Sequence, residues 1–345
     1  METLTLPFRT MRRRIAATLS PLVRWLPQEI TRWTLWFAWA SLIANIGIIL
    51  TGGAVRLTDS GLGCPEWPLC TEDSLVSTPE MGIHGAIEFG NRLLTYVLVI
   101  IAAAMLLSVI RLRRTHRPLT VMSAIIVAGI PIQAIIGGIT VWTNLNPWVV
   151  ALHFIVSAGL VMVATWILSR VRLELRSGGR ADVPLAYGAA DRIARATAWT
   201  ILGAAWAAVV LGTIVTGTGP HAGDPGSPRH DFDPQLVTQL HVVPVYILCA
   251  AAALLLVRTI RADASSAQRR AAWFLLTVIV LQGAVGYWQH FTGLPVQLVW
   301  VHMLGSALTM VAAANVWDRT LARYRTRGLG DLTAPRTAAA EPALN

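Results

Sequence analysis

The stretch Leu93-Leu-Thr-Tyr-Val-Leu-Val-Ile-Ile-Ala-Ala-Ala-Met-Leu-Leu-Ser-Val-Ile110 decides the fold, because it is long, apolar and free of charge. A helix of about 20 such residues crosses the hydrocarbon core of a bilayer. The stretch ends at a basic cluster, Arg111-Leu-Arg-Arg114, as spans often do at the cytoplasmic face. Outward from it, the pattern predicts eight spans, at 33–52, 86–110, 119–142, 148–169, 197–217, 235–257, 271–290 and 298–317. The sequence therefore predicts an all-α integral membrane protein.

The composition of the chain excludes several other classes of protein. Apolar residues make up 54% of it and charged residues 13%, which excludes a disordered chain, a coiled coil and a disulfide scaffold. The net charge of +10 does not indicate a nucleic-acid partner, because the arginines lie between the apolar runs and form no single basic face. The partner that the composition predicts is the lipid bilayer.

The placement of arginine predicts the orientation of the spans. Of the 28 basic residues, 25 lie in the tails or in the loops after even-numbered spans, and only Arg56, Arg92 and Arg229 lie on the other side. The positive-inside rule then puts both termini in the cytoplasm and the protein in the plasma membrane. The predicted regions are a cytoplasmic tail 1–32, a four-helix bundle 33–175 with an outer loop 53–85, a cytoplasmic linker 176–196, a second four-helix bundle 197–318 and a cytoplasmic tail 319–345.

An internal duplication relates the two predicted bundles. Asn91 lies 62 residues before His153 in the first half, and His241 lies 61 residues before His302 in the second. In both halves a glutamine precedes the later histidine by 20 residues. The matching positions are Asn91, Gln133 and His153 in one half and His241, Gln282 and His302 in the other. Four spans per unit leave both units in the same orientation, so we expect two pseudo-symmetric bundles about an axis along the membrane normal.

Three of the eight histidines are predicted to lie inside spans, near their outer ends: His153, His241 and His302. An ionisable group at membrane depth indicates function, although an interhelical hydrogen bond is the structural alternative. His241 and His302 lie at matching depth on the second and fourth helices of one bundle, which favours a haem with two imidazole ligands. Zinc needs further ligands that this depth does not provide. For the loop histidines, among them His230, we expect solvated roles.

The first bundle departs from this symmetry. Asn91 occupies the position that His241 occupies in the second bundle, so the first bundle offers His153 as one axial ligand and leaves the opposite face of the iron open. Glu88 lies one helical turn from Asn91. It is either an interfacial carboxylate or an acid–base group above that open face. His84 lies one turn further out, within reach of Glu88.

The outer loop carries two cysteines in Cys64-Pro-Glu-Trp-Pro-Leu-Cys70. The compartment outside a bacterial-type membrane permits disulfides, and the short spacing predicts a bridge between Cys64 and Cys70. Metal binding by the two thiols is the weaker alternative. Cys249 is alone in the sixth span, where we expect it to pack.

Two loop motifs resemble those of haem A synthases. One runs from Gly53 through Arg56-Leu-Thr-Asp-Ser-Gly to Cys70, and the other is Thr216-Gly-Thr-Gly-Pro-His-Ala-Gly-Asp224. The resemblance covers about residues 33–318. It implies that the chain oxidises the C8 methyl group of haem O to a formyl group through successive hydroxylations, making haem A for terminal oxidase assembly.

The resemblance also implies roles for individual residues. The second bundle would hold haem b between His241 and His302, and the first would bind haem O through His153, with Glu88 as the essential carboxylate. The family commonly has Glu-x-x-His-Arg where this chain has Glu88-Phe-Gly-Asn91-Arg92, which leaves the second axial ligand of the substrate site in question.

The same resemblance sets the expected partners. Arg56 and Arg92 are assigned to the haem propionates, with ordinary interfacial arginines as the alternative. Haem O, a haem O synthase and an unidentified electron acceptor are the expected partners, and a homo-oligomer is left open. We expect the haem sites to lie toward the outer leaflet.

The alternatives to a haem A synthase are a di-haem electron-transfer protein of the cytochrome b type and, less favoured, a repeat-built transporter.

Overall fold

The computed structural model describes residues 25–177, 192–261 and 266–321. Within these ranges the chain forms eight long helices, each apolar and long enough to cross a membrane. They are α1 Arg32–Leu57, α2 Gly82–Val109, α3 Arg117–Trp142, α4 Pro147–Ser177, α5 Arg192–Thr218, α6 Pro234–Arg261, α7 Ser266–Phe291 and α8 Val296–Leu321. The prediction of an all-helical chain with eight spans is confirmed, and the chain is a multi-pass membrane protein.

Side chains next to the apolar runs determine where several helices begin. Thr31 caps α1, accepting a hydrogen bond from the Thr34 N–H while the Thr34 hydroxyl accepts one from the Thr31 N–H. Asp233 precedes Pro234 and accepts a hydrogen bond from the Leu236 N–H at 2.7 Å. Such caps satisfy N–H groups that have no partner within the helix. The helices therefore extend beyond the predicted spans, into flanking residues that are more polar.

The turns before α4 and α8 have the same backbone geometry. Leu145 and Leu294 both adopt φ of 59°. The Leu145 N–H donates to the Thr140 carbonyl at 2.7 Å, and the Leu294 N–H donates to the Gln289 carbonyl at 2.8 Å. Such bonds close the end of a helix whose last carbonyls would otherwise be unpaired. The duplication is thus visible locally in the two turns that lead to His153 and His302.

Helix packing divides the described residues into two groups of four. In the first group, α1 and α3 each pack against α2 and α4; in the second, α5 and α7 each pack against α6 and α8. Each group encloses its own cluster of buried apolar side chains. Between the groups, α8 packs against α1 and α4, and α4 packs against α5. Near the interface the Trp300 indole N–H donates to the Leu50 carbonyl at 2.8 Å.

Several predicted regions lie outside the described residues. These are most of the N-terminal tail, with Arg9, Arg12, Arg13, Arg14 and Arg24, and most of the linker and the C-terminal tail. The membrane orientation and the pseudo-symmetry of the two bundles stay predictions.

Candidate haem sites and the outer loops

The predicted site residues lie at one common end of the helices. His153, His241 and His302 fall within the first two to three turns of α4, α6 and α8, and Glu88 and Asn91 fall in the corresponding part of α2. This end also carries the loop between α1 and α2 and the loop between α5 and α6, which hold the two motifs. The fold therefore brings the predicted ligands of both halves and both motifs to one side of the molecule.

In the second half, the two histidines occupy tight positions against glycines. A Cβ atom added at Gly212 on α5 would lie 3.1 Å from His241 Cε1, and one added at Gly286 on α7 would lie 3.1 Å from His302 Cε1. Both Nδ1 atoms are buried without a hydrogen-bond partner. Buried polar atoms without partners are costly, so this pair of imidazoles carries unused ligand capacity.

The donor set in the second half fits haem. Within the described ranges, no three His, Cys, Asp or Glu side chains gather in a way that could hold a metal ion. Two imidazoles are nevertheless a complete set of protein ligands for a six-coordinate haem, because the porphyrin supplies the other four. The glycines beside His241 and His302 leave the rings room that a larger side chain would occupy.

A glutamine on the preceding helix supports the matching histidine in each half. Gln133 Nε2 donates to the His153 carbonyl at 3.0 Å, and Gln282 Nε2 donates to the His302 carbonyl at 2.8 Å. The Gln282 side chain lies where a Cβ at Gly305 would stand. The sequence showed these glutamines only as markers of the duplication; the structure adds that they hold the backbone at the histidine positions.

Asn91, which matches His241 in the duplication, has a hydrogen-bonded side-chain amide. The Thr51 hydroxyl on α1 donates to Asn91 Oδ1 at 2.7 Å. His153 itself has a buried Nδ1 atom without a partner, and its Cε1 lies 3.5 Å from the site of a Cβ at Gly137. Sequence reasoning missed Thr51. The only signal was a polar residue near the end of an apolar helix.

Glu88 is buried and held by an arginine and a backbone amide. Its residue exposure is 6%. Arg92 donates to Oε1 from Nη2 at 2.6 Å and from Nε at 3.2 Å, while the Cys64 N–H donates to Oε2 at 2.7 Å. The carboxylate therefore joins α2 to the outer loop. His84, which the sequence places within reach of Glu88, has its Nδ1 atom 2.9 Å from the Ser60 hydroxyl.

Arg92 extends the same contact into the loop. Its Nη1 donates to the carbonyls of Glu66 at 3.0 Å and Leu69 at 2.8 Å, and its Nη2 also donates to the Cys64 carbonyl at 3.1 Å. Together with the two bonds to Glu88, these contacts engage all five N–H groups of the guanidinium. A propionate contact for Arg92 stays a prediction, and in this conformation it would have to share these donors.

The outer loop folds over the end of the first bundle. The predicted bridge between Cys64 and Cys70 is present, and both cysteines are fully buried. Trp67, between them, packs against Trp142 at the end of α3 with ring centroids 5.3 Å apart, and the Trp142 indole N–H donates to the Trp67 carbonyl at 3.2 Å. The Trp67 ring fills the space that a side chain at Gly138 would need. The disulfide-closed segment thus caps the first bundle.

The expectation that His230 is solvated is wrong. This outer-loop residue is 8% exposed, with its ring centroid 4.3 Å from that of Trp148 and 5.5 Å from that of Phe232. Burial, with a contribution from the positive charge of Arg56, lowers the pKa of His230. The sequence did not predict this burial, because His230 lies between the charged residues Arg229 and Asp231. Trp148, which packs against its ring, comes from a distant part of the chain.

The chain is similar to known proteins over most of its length. The family model COX15-CtaA, described as cytochrome oxidase assembly protein, matches residues 35–314. Similar proteins include haem A synthases of Geobacillus kaustophilus (30% identical, covering 44% of this chain and 45% of that protein), Lysinibacillus sphaericus (31%, covering 42% and 46%) and Bacillus pumilus (33%, covering 37% and 43%). The matched stretch thus spans less than half the length of these relatives. Because the family model matches most of the chain, the protein belongs to the COX15-CtaA family of cytochrome oxidase assembly proteins, the family of the haem A synthases.

Proposed function

We propose that the protein is a haem A synthase, which oxidises the C8 methyl group of haem O to a formyl group and so supplies haem A for terminal oxidase assembly. The observation that carries this proposal is the difference between the two halves. The second half presents two buried histidines, His241 and His302. The first half presents one, His153, together with a hydrogen-bonded Asn91 and a buried Glu88. One half is thus suited to a permanent haem and the other to a haem that reacts.

The second half binds haem b in this proposal. When bound, haem b supplies one-electron redox chemistry. His241 and His302 would hold the haem iron through their ring nitrogens, and Gly212 and Gly286 keep space beside the imidazole rings. Gln282 fixes the backbone at His302 through its 2.8 Å hydrogen bond. The protein thus sets the orientation of the ligands before the haem enters.

The first half binds haem O as the substrate. His153 would hold the iron of the substrate haem, and Asn91 stands where the second half has His241. The Asn91 amide is held by Thr51 and is not a usual ligand of haem iron, which argues against a pure electron carrier with two histidines in each half. Arg56 and Arg92 are the cationic groups nearest the outer end of this half, and we assign them to the propionates.

Glu88 is the proposed acid–base group. Glu88 would accept a proton on one of its two carboxylate oxygens. Arg92 positions Oε1 and the Cys64 N–H positions Oε2. Arg92 is therefore a positioning residue for Glu88. The capping loop with its disulfide lies directly above this carboxylate, so it also limits the access of water to the reacting methyl group.

The cellular setting follows from the same proposal. The termini lie in the cytoplasm and the haem sites lie toward the outer leaflet of the plasma membrane, because most arginines fall on the other side. A haem O synthase is the expected source of substrate. The oxidation removes electrons from the methyl carbon and adds an oxygen atom to it, so the reaction requires both an electron acceptor and a source of oxygen.

The test is direct conversion in membranes. Haem O is added to vesicles that contain the protein, and extracted haems are identified by mass. We expect haem A from the wild type, and a loss of about 10²–10⁴-fold in rate for Glu88→Gln, the range for removing an acid–base group. Glu72→Gln, which alters an exposed carboxylate in the same loop, should convert haem O normally. Wild-type protein that binds haem b yet leaves haem O unchanged would instead be an electron carrier.

A further inference from the structure

A cavity of about 160 Å³ lies at the opposite end of the helices from the histidines. It is formed by the last turns of α4 and α8 and the first turns of α7. Four arginines line it: Arg172 and Arg176 from α4, Arg270 from α7 and Arg319 from α8. Among the described residues, no Asp or Glu side chain lines the cavity. Four guanidinium groups from three helices therefore surround one small volume.

Among the described residues, the carboxylates nearest in sequence to Arg172, Arg176 and Arg319 have other partners. Asp318 is fully buried and accepts hydrogen bonds from the Ser169 hydroxyl at 2.7 Å and from Arg170 Nη2 at 2.8 Å. Glu174 lies 3.2 Å from His116 Nε2. Like charges at short range raise the free energy of the folded protein. An anion in the cavity would offset this repulsion.

Two of the four arginines are held in position by other side chains. The guanidinium of Arg172 lies over the ring of Trp39 at 5.1 Å, a cation–π contact. Arg172 also lies within electrostatic range of Arg176 and Arg319. Arg319 Nε donates to Asn315 Oδ1 at 3.0 Å. Side chains fixed before binding lose less conformational entropy when a ligand arrives, so the cavity is preorganised for an anion.

The surroundings of the cavity indicate what kind of anion it accepts. The cavity lies where the apolar helices end, so a bilayer that covers their apolar length would place its phosphate groups near this level. Phe274 lines it and is 41% exposed, and the adjacent Trp273 is 53% exposed. A free phosphate gains nothing from exposed aromatic rings, whereas a lipid places its phosphate among arginines and its acyl chains against such rings. Basic pockets between helix ends bind anionic lipid headgroups in other membrane proteins.

We propose that this cavity binds the phosphate headgroup of one anionic phospholipid. The site is separate from the haem sites and does not depend on the proposed enzymatic activity. Binding there joins α4 of the first helix group to α7 and α8 of the second. A bound lipid therefore stabilises the interface between the two groups.

The experiment measures lipid binding to purified, delipidated protein in a neutral detergent by native mass spectrometry. The probes are short-chain phosphatidylglycerol, short-chain phosphatidylcholine and inorganic phosphate. We expect saturable binding of one phosphatidylglycerol and markedly weaker binding of the other two. Arg176→Gln and Arg270→Gln should each weaken phosphatidylglycerol binding by about five- to tenfold, the effect of one arginine near a lipid phosphate. Arg114→Gln, at an exposed arginine in the loop between α2 and α3, is the matched control.

Each alternative outcome overturns the proposal in a recognisable way. Equal binding of phosphatidylcholine means that the cavity does not select for anionic charge. Equally tight binding of inorganic phosphate makes it a site for free anions and not for lipid. Normal phosphatidylglycerol binding by folded Arg176→Gln and Arg270→Gln places the lipid elsewhere. Because the comparison of three probes uses wild-type protein, it decides the question even where a variant fails to fold.

Discussion

Replacing Arg92 with glutamine tests whether the buried ion pair holds the outer loop on the first bundle. Glu88 has a side-chain exposure of 8%, and Arg92 lies 2.6 Å from it with an exposure of 21%. Removing one partner of a buried ion pair costs about 3–5 kcal/mol, because the other charge stays buried without compensation. Arg92 is partly exposed, so we expect the lower end, about 3 kcal/mol. This free energy corresponds to roughly a hundredfold change in an equilibrium constant.

Hydrogen exchange at residues 61–70 measures this loss. The Cys64 N–H donates to Glu88 at 2.7 Å, so its exchange reports the opening of the contact between loop and carboxylate. Arg92→Gln should increase the exchange rate there roughly a hundredfold. Adding Glu88→Gln should recover part of the protection, because the double variant no longer buries an unpaired charge.

Arg229→Gln is the matched control for this experiment. Arg229 also holds an outer loop, by donating to the carbonyls of Gly219, Pro220 and Ser227. Among the contacts that the structure describes for it, none is with a carboxylate. Its replacement should therefore leave exchange at 61–70 unchanged. Unchanged exchange in Arg92→Gln, or an equal increase in both variants, would refute the reasoning.

The other predictions concern the haem ligands and the disulfide. His302→Ala should abolish the low-spin haem spectrum of the purified protein while His290→Ala retains it, and a low-spin haem in His302→Ala would contradict the bis-histidine site. Cys64 and Cys70 should react with a maleimide only after reduction. Labelling of either of these two residues in untreated membranes would show that the bridge is absent in the cell. Asn91→His should convert the substrate haem from high to low spin, and an unchanged spectrum would mean that Asn91 does not face the iron.

The features that follow from one-dimensional patterns could be predicted from the sequence. The eight spans follow from apolar runs between arginines, and the bridge between Cys64 and Cys70 follows from short spacing in an outer loop. Both depend on residues close together in the chain. The equal spacing of glutamine and histidine also predicted the matching placement of His153 and His302 in their helices.

Contacts that depend on how helices rotate against one another could not be predicted. The hydrogen bond between Thr51 and Asn91 joins residues 40 positions apart, and nothing in an apolar run shows which face meets the next helix. The three loop carbonyls that bind Arg92 could not be predicted either. Every residue has a carbonyl group, and only the folded structure determines which of them lie near Arg92. Reasoning from charge assigned Arg92 to a propionate, which stays a prediction; the structure adds these protein acceptors.

The two loop motifs bind each other in the structure. Arg56 at the end of α1 donates to the His221 carbonyl at 2.6 Å and to the Thr216 carbonyl at 3.1 Å. The Gly61 N–H donates to the Gly223 carbonyl at 2.9 Å, an approach that a side chain at Gly61 would crowd. His221 Nε2 in turn lies 2.9 Å from the Leu294 carbonyl, in the turn that leads to His302. A continuous series of side-chain and backbone contacts therefore joins the outer loop of the first half, through the loop between α5 and α6, to the turn that precedes His302.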